Sequence, residues 1–441
     1  MANAQRSVGV GLIGFGTIGT GVVKLLSRRS GAISQKLGCS LRLVRIADLD
    51  IRTDRGVRVD RRLLTTDARE IITDPSVDIV VELIGGYEPA REFVLAALRA
   101  GKSVVTANKA LLAVHGAEIF AEAERRGVDL GFEASVGGGI PIIRTLKEGL
   151  AGDRTGAVYG IVNGTSNYVL STMTREGHEF GDVLREAQRE GLAEADPTYD
   201  VDGTDAAHKL TLLATLAFGV QAKFKDVYTE GIQQIEPMDI DFARELGYTI
   251  KLLAIAKDHG DAIETRVHPT MIPQRHVLAD VGGAYNAIYV QGDALGSSMY
   301  FGLGAGMMPT ATAVVGDIME IARGRERGVS GRIPPLGHPW QKLRRGVATR
   351  PMGDITSEFY LRFMAIDRPG VLARIAGLLG NERISIASVI QKERKRDTTV
   401  PLVILTHVSL ERSLRKALTG IARLRVVRGR PVILRIEEHL A

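Results

Sequence analysis

The stretch VGVGLIGFGTIGTGVVKLL, residues 8–26, constrains the fold of this chain more than any other. An apolar, β-rich run meets three glycines, Gly14, Gly16 and Gly19, spaced G-x-G-x-x-G, and a helical pattern follows. The spacing alone is weak. Between a strand and a helix it is the dinucleotide-binding fingerprint, and that context outweighs a glycine-rich turn with no ligand. Gly14 permits the tight turn, Gly16 lets backbone N–H groups approach a pyrophosphate, and Gly19 lets helix and strand pack closely. The helix N-terminus adds partial positive charge.

Strand–helix–strand alternation continues from there. LRLVRIADLD is a second strand ending at Asp48, 34 residues past Gly14, because SRRSGAISQKLG lengthens the connection. A carboxylate at that strand end suits the ribose 2′-hydroxyl of NAD. Arg52 and Arg55 follow closely and could clamp the 2′-phosphate of NADP instead, so both cofactors stay open. VDIVVELIGG is a near-continuous apolar strand closed by Gly85 and Gly86, as buried parallel strands are. A helix, PAREFVLAALRAG, and a strand, KSVVTANKALLA, come next. The pattern predicts a doubly wound α/β sheet with ligands beyond the carboxyl ends of its strands, where Thr106, Asn108 and Lys109 fall. Lys109 is either a loop lysine or a site residue, and its place at a strand end favours the site.

Further along, EADPTYDVDGTDAAHKL puts five carboxylates (Glu194, Asp196, Asp200, Asp202 and Asp205) into twelve positions. A calcium loop of the EF-hand type fails. With Gly203 at its sixth position, the twelfth is Lys209, a cation that cannot ligate calcium. What survives is a solvated acidic loop before a helix capped near Thr204, with Asp205 and Lys209 as an i,i+4 surface pair, or a site that selects a cationic group.

Charge and composition narrow the class. The chain has 441 residues and net charge +6, but residues 323–441 carry 24 Lys and Arg against 10 Asp and Glu, while the rest is acidic. The basicity lies in the tail and in RGRERGVSGRIPPLGHPWQKLRRGVATRP, whose only aromatic residue is Trp340. That stretch reads as a solvated connector, and nucleic acid is not an expected partner. One cysteine, Cys39, allows no internal disulfide and fits a reducing cytoplasm. MANAQRSVGVGLIGFG leaves no room for a signal peptide before the first strand, and no apolar run reaches membrane-spanning length.

Six stretches in one order, GFGTIG, VTANK, FEASVGGGIPI, GIVNGTSNY, GLAEADPTYDVDGTDAAHKL and GLGAGMMPTATAVVGD, resemble homoserine dehydrogenases from residue 8 to about 322. The resemblance implies NAD(P)H-dependent interconversion of L-aspartate 4-semialdehyde and L-homoserine, in threonine, methionine and isoleucine biosynthesis. It implies that Lys209 is the acid/base, that Lys109 assists, and that Glu194, Asp205 and Gly191 hold homoserine. Phe15, Thr17, Ile18, Thr106 and Gly304 would line the cofactor, NADP or NAD. The family's sodium site would use Glu133 with the carbonyls of Val136, Gly138 and Ile140. NADP-preferring members often carry a basic residue where Ala47 stands here. The chemistry agrees with these roles: an ammonium supplies both a proton and positive charge to a developing alkoxide. Asp205, one turn before Lys209, can hold that ammonium, and Glu194 can hold a substrate amino group.

Beyond the motifs, Pro309 is expected to open a long helix that packs back on the first domain, so that residues 134–308 are inserted within it. Alternating stretches such as AIETRVHPTMI and AYNAIYVQGD suggest that the inserted α+β domain holds an open antiparallel sheet. The boundaries expected are 1–133 plus 309–325 for the Rossmann-like nucleotide domain, 134–308 for catalysis and dimerisation, 326–352 for a linker, and 353–441 for the tail. The tail reads β-α-β-β-α-β, a ferredoxin-like unit resembling an ACT domain, a module that often binds amino acids at paired interfaces. Its DRPGVL turn makes Asp367, Gly370 and Leu372 candidate contacts for an effector, L-threonine; a purely dimerising tail is the alternative. A homodimer or homotetramer is expected. A non-catalytic NAD-sensing regulator would not need Glu194, Asp205 and Lys209 together. An acylating semialdehyde dehydrogenase would need a cysteine nucleophile, and Cys39 lies in the first domain's connection. No kinase-length segment precedes the Rossmann start, so an aspartokinase fusion is not expected.

Overall fold

The computed structural model describes residues 7–392, 398–438 and 440. Residues 1–6, part of the stretch weighed above for a signal peptide, lie outside them. Six parallel strands form the first sheet: β1 (Ser7–Ile13), β2 (Ser40–Ala47), β3 (Leu64–Thr65), β4 (Ile79–Glu82), β5 (Ser103–Thr106) and β6 (Leu130–Gly131). Their order is β3-β2-β1-β4-β5-β6. Winding reverses between β1 and β4, which opens a crevice at the carboxyl ends of those two strands. The lengthened β1–β2 connection holds two helices, Thr17–Arg28 and Ser30–Leu37, which accounts for the late arrival of Asp48. The helix Met307–Glu326 returns from far along the chain to lie on the Thr17–Arg28 helix, where Ala311, Val314 and Ile318 join a core with Leu12, Val22 and Val23. It opens two residues before Pro309, so the proline sits in the first turn, where its missing N–H costs no helical bond.

The second sheet has twelve strands. The middle of the chain supplies β7 (Thr155–Ile161), β8 (Tyr228–Thr229), β9 (Tyr248–Asp258), β10 (Ala262–Pro273), β11 (Tyr285–Gly292) and β12 (Gly296–Leu303). The connector adds β13 (Ala348–Thr349), and the tail adds β14 (Thr356–Ile366), β15 (Ile386–Ile390), β16 (Thr399–Thr406), β17 (Ser409–Leu410) and β18 (Val427–Ile436). The main path runs β12-β11-β7-β9-β10-β18-β14-β16-β15. The inner strands of the middle portion pair antiparallel, and the helices Gly164–Glu176, Thr204–Phe218 and Pro237–Glu245 lie against them. The polar positions of β10 are buried along with the apolar ones, Glu264, Arg266, His268 and Thr270 included. Alternation correctly marks the strand there but not a solvent face.

Two further features concern the tail and the connector. It has the ferredoxin-like strand order, with its own core of Phe359, Leu361, Phe363, Ile375, Leu402 and Leu414. It is nevertheless stitched to the middle portion. β18 pairs with β10, and Arg362 and Tyr360 of β14 both donate to the buried Asp239 carboxylate, at 2.7 and 2.9 Å. The connector expected to be solvated also packs down, because Leu336 and Leu343 are buried and Arg344 makes a bidentate pair with Asp258, at 2.8 and 3.1 Å. No helix among the described residues is long and apolar enough to cross a membrane.

Candidate active site

At the end of β1 the chain turns through Gly14 at φ +101°, a conformation that side chains resist. A Cβ on Gly19 would stand 2.1 Å from the Gly14 carbonyl oxygen, whereas one on Gly16 would meet no described atom within 4 Å. Gly19 thus closes the turn, and Gly16 faces open space. The Thr17–Arg28 helix starts beside it with no described side-chain cap and no acid in its first turn. Uncapped N–H groups, the positive helix end and an open approach fit a pyrophosphate. Asp48 braces this turn: its carboxylate accepts from the Phe15 N–H at 2.5 Å and the Asp50 N–H at 2.9 Å. Arg55 reaches the same carboxylate at 3.5 Å and lies over the Phe15 ring, 5.2 Å from its centroid, while Arg52 is exposed.

Across the crevice, Glu82 at the end of β4 is fully buried and accepts from Thr106 Oγ1 at 2.6 Å and from the Ile84 N–H at 2.8 Å. Burial pushes its carboxyl up. Asn108 caps the Lys109–Arg126 helix by accepting from the Leu111 N–H, and its amide donates to the Gly86 carbonyl at 2.7 Å. These bonds shape the Gly85 and Gly86 turn and set Lys109 on the first position of its helix. Sequence pattern alone marks Asn108 as a strand-end residue and leaves Glu82 unmarked. An acid in an otherwise apolar strand was the available sign of it.

The helix Thr204–Phe218 brings the acidic stretch and Lys109 together. Asp205 Oδ2 accepts from Lys209 Nζ at 2.6 Å, and Asp205 Oδ1 lies 3.1 Å from Lys109 Nζ. Lys209 Nζ also donates to the Val162 carbonyl at 2.6 Å, which leaves its third N–H without a partner among the described residues. Burial alone would raise the Asp205 pKa, but the two ammonium groups and the hydrogen bonds hold it far below the usual carboxylate range. Burial pushes Lys209 down from the ordinary lysine value, while the Asp205 carboxylate pulls Lys109 up. The two lysines therefore differ: Lys109 keeps its charge, and Lys209 is brought closer to giving up a proton.

Asn163, in the stretch GIVNGTSNY, completes the group. Its amide donates to Asp205 Oδ2 at 2.8 Å and to Asp200 Oδ1 at 2.7 Å, and its oxygen caps the Gly164–Glu176 helix. Asp196 accepts from the Thr198 N–H and hydroxyl, and Asp202 from the Thr204 N–H. Glu194 and Gly191 sit exposed on the loop that rims this site.

Glu133 stands behind the crevice, after β6. Its two oxygens accept from the Ile143 and Arg144 N–H groups at 2.8 and 2.9 Å, and its own N–H donates to Asp317 at 2.8 Å. Burial, and then the Asp317 carboxylate, push its pKa up to about 7. The carboxyls of Glu133 and Asp317 face two cations, Arg144 and Lys147. With the carbonyls of Val136, Gly138 and Ile140 nearby in the chain, this all-oxygen set fits a hard monovalent cation. Gly304 packs against this turn: a Cβ on Gly138 would lie 2.6 Å from the Gly304 carbonyl oxygen.

In the tail, Gly370 at φ +84° starts the helix Val371–Asn381 without a described side-chain cap; Leu372 beside it is exposed, and Asp367 accepts from Gln391 at 3.2 Å.

Comparison with known proteins points to one family. Residues 14–133 match the family model described as homoserine dehydrogenase, NAD binding domain; residues 141–319 match homoserine dehydrogenase, and 359–423 match the ACT domain. A homoserine dehydrogenase of Neisseria gonorrhoeae is 45% identical over 98% of this chain and 99% of its own length. One from Pseudomonas aeruginosa is 44% identical over 98% and 100%. The crystal structure of a homoserine dehydrogenase from Thiobacillus denitrificans superposes with a TM-score of 0.91 at 46% identity, covering 98% of this chain and 99% of that one.

Proposed function

Because the chain belongs to the homoserine dehydrogenase family of NAD(P)-dependent oxidoreductases, we propose that Lys209, Asp205, Lys109 and Glu194 carry the reversible reduction of L-aspartate 4-semialdehyde to L-homoserine. The observation that carries this reading is one buried carboxylate, Asp205, between two ammonium groups at 2.6 and 3.1 Å. Bound reduced nicotinamide supplies the hydride. Lys209 offers its free N–H to the carbonyl oxygen, stabilises the alkoxide as charge develops and transfers a proton to it. Asp205 fixes Lys209, and Lys109 keeps the pocket positive enough to bind the substrate carboxylate. Glu194, on the rim, takes the substrate ammonium, with Gly191 beside it. A homoserine-oxidation assay comparing NAD with NADP tests activity and preference together. Turnover with neither would overturn the reading, and Lys209→Ala tests the assignment.

The same reading extends outward. Gly14, Phe15, Gly16, Thr17, Ile18 and Gly19 bind the pyrophosphate, and Asp48, with Arg52 nearby, meets the adenosine ribose. Gly85, Thr106, Lys109 and Gly304 line the nicotinamide end. Glu133, with the carbonyls of Val136, Gly138 and Ile140, holds sodium. The domain boundaries are 1–133 with 309–325, 134–308, 326–352 and 353–441. The enzyme works in the cytoplasm, in threonine, methionine and isoleucine biosynthesis, and threonine binds the ACT domain at Asp367, Gly370 and Leu372. A homodimer or homotetramer assembles through the β12 edge, where Phe301 and Leu303 are exposed and Phe301 stacks on Tyr285 at 4.9 Å.

A further inference from the structure

Residues 228–232 lie between the tail and the loop that leads into the Thr204–Phe218 helix. Within this segment, Tyr228 and Glu230 face the tail. Arg435 of β18, fully buried, pairs with Glu230 and with Glu411 of the helix Glu411–Ile421, the latter at 2.6 Å. The Tyr228 hydroxyl donates to Glu230 at 3.0 Å and accepts from Arg415 at 2.7 Å, and the Arg415 and Arg435 guanidiniums lie 5.7 and 5.5 Å from the Tyr228 ring centroid. The other side of the segment faces the catalytic loop. The Ile232 N–H donates to the Val201 carbonyl at 2.9 Å. Gly231 approaches so closely that a Cβ there would lie 2.3 Å from the Val201 oxygen and 2.7 Å from Asp202 Cα. A Cβ on Gly203 would in turn meet Thr229 at 3.0 Å. Asp202 caps the helix whose second residue is Asp205.

We infer that Tyr228 and Glu230 are positioning residues, through which the tail's Arg435 and Arg415 hold the 200–205 loop and so set the Asp205–Lys209 pair against the substrate. The fully buried Arg435–Glu411 pair anchors the guanidinium that the part-exposed Glu230 meets, and backbone contact at Val201 and Asp202 leaves little slack to absorb a shift. The inference rests on the active-site reading above, and it predicts an effect on the substrate half of the site alone, since the segment touches none of the cofactor residues.

The test uses the full chain with Tyr228→Phe, Glu230→Gln and the double variant. Each single change should lower kcat/KM for homoserine about 3- to 30-fold while KM for the dinucleotide stays within about twofold. The double variant should lose little more than the worse single, since both act on one strap. Unchanged homoserine kcat/KM in well-folded variants overturns the inference, as does a parallel rise in dinucleotide KM, the mark of general loosening. If Glu230→Gln fails to fold, Tyr228→Phe decides, since it loses one oxygen and keeps the ring between the guanidiniums. Lys209→Ala in the same series separates the two readings. Silent strap variants beside a dead Lys209→Ala overturn only the coupling, and an active Lys209→Ala overturns the site.

Discussion

Lys209 and Lys109 share a carboxylate yet are driven in opposite directions, and burial decides which is which. Lys209→Ala should fold normally and lose about 10²–10⁴ in turnover, read from initial rates of homoserine oxidation. Asn163→Ala removes two hydrogen bonds to carboxylates. At the usual value of bonds to charged groups it should cost about 10- to 100-fold in kcat/KM, measured in the same assay. A third residue probes stability. Lys251 is buried in β9, donates to the Val281 carbonyl at 2.6 Å, and is pushed down by burial to about 8 from 10.5. Between those values the unfolded chain binds the extra proton, so stability should rise with pH from 8 to about 10. Denaturant unfolding across that range should lose this slope in Lys251→Met.

The glycine turn and the Thr204–Phe218 helix are both element-level devices, but they tolerate change differently. Gly19→Ala forces a Cβ into the Gly14 carbonyl at 2.1 Å and should cost about 1–3 kcal/mol, seen as a lower Tm. Gly16→Ala meets nothing in the protein and should leave Tm unchanged, yet raise KM for the dinucleotide, because its Cβ enters the space a pyrophosphate would use. Equal effects of the two on Tm would contradict this division. The Thr204–Phe218 helix is buried on nearly every residue from Asp205 to Phe218, which makes it a rigid carrier for Asp205 and Lys209. The loop before it is the adjustable part.

For the whole molecule, the tail is no detachable appendage. β18 continues the sheet of β10, and Asp239 loses its Arg362 and Tyr360 partners if the tail is cut away. A truncation at residue 350 should therefore unfold more readily, a change visible in Tm, and point variants test regulation more cleanly. With Asp367→Ala, threonine inhibition of the full chain should weaken while uninhibited turnover is kept. Inhibition with an unchanged midpoint would remove Asp367 from the effector site.

Local pattern was enough wherever chemistry and conformation are written by neighbours along the chain. The Gly14, Gly16 and Gly19 turn, the parallel order of the first sheet's elements, the one-turn spacing of Asp205 and Lys209 and the β-α-β-β-α-β tail are all of this kind, since backbone sterics and helical period act over a few residues. Tertiary structure alone decided what depends on distant segments meeting. Lys109 reaches Asp205 across the crevice, Asn163 ties Asp200 to Asp205, Glu82 is sealed under Thr106, and the tail's β18 joins β10. Each of these is fixed by burial, which turns an ordinary polar residue into a partner only once its surroundings have excluded water.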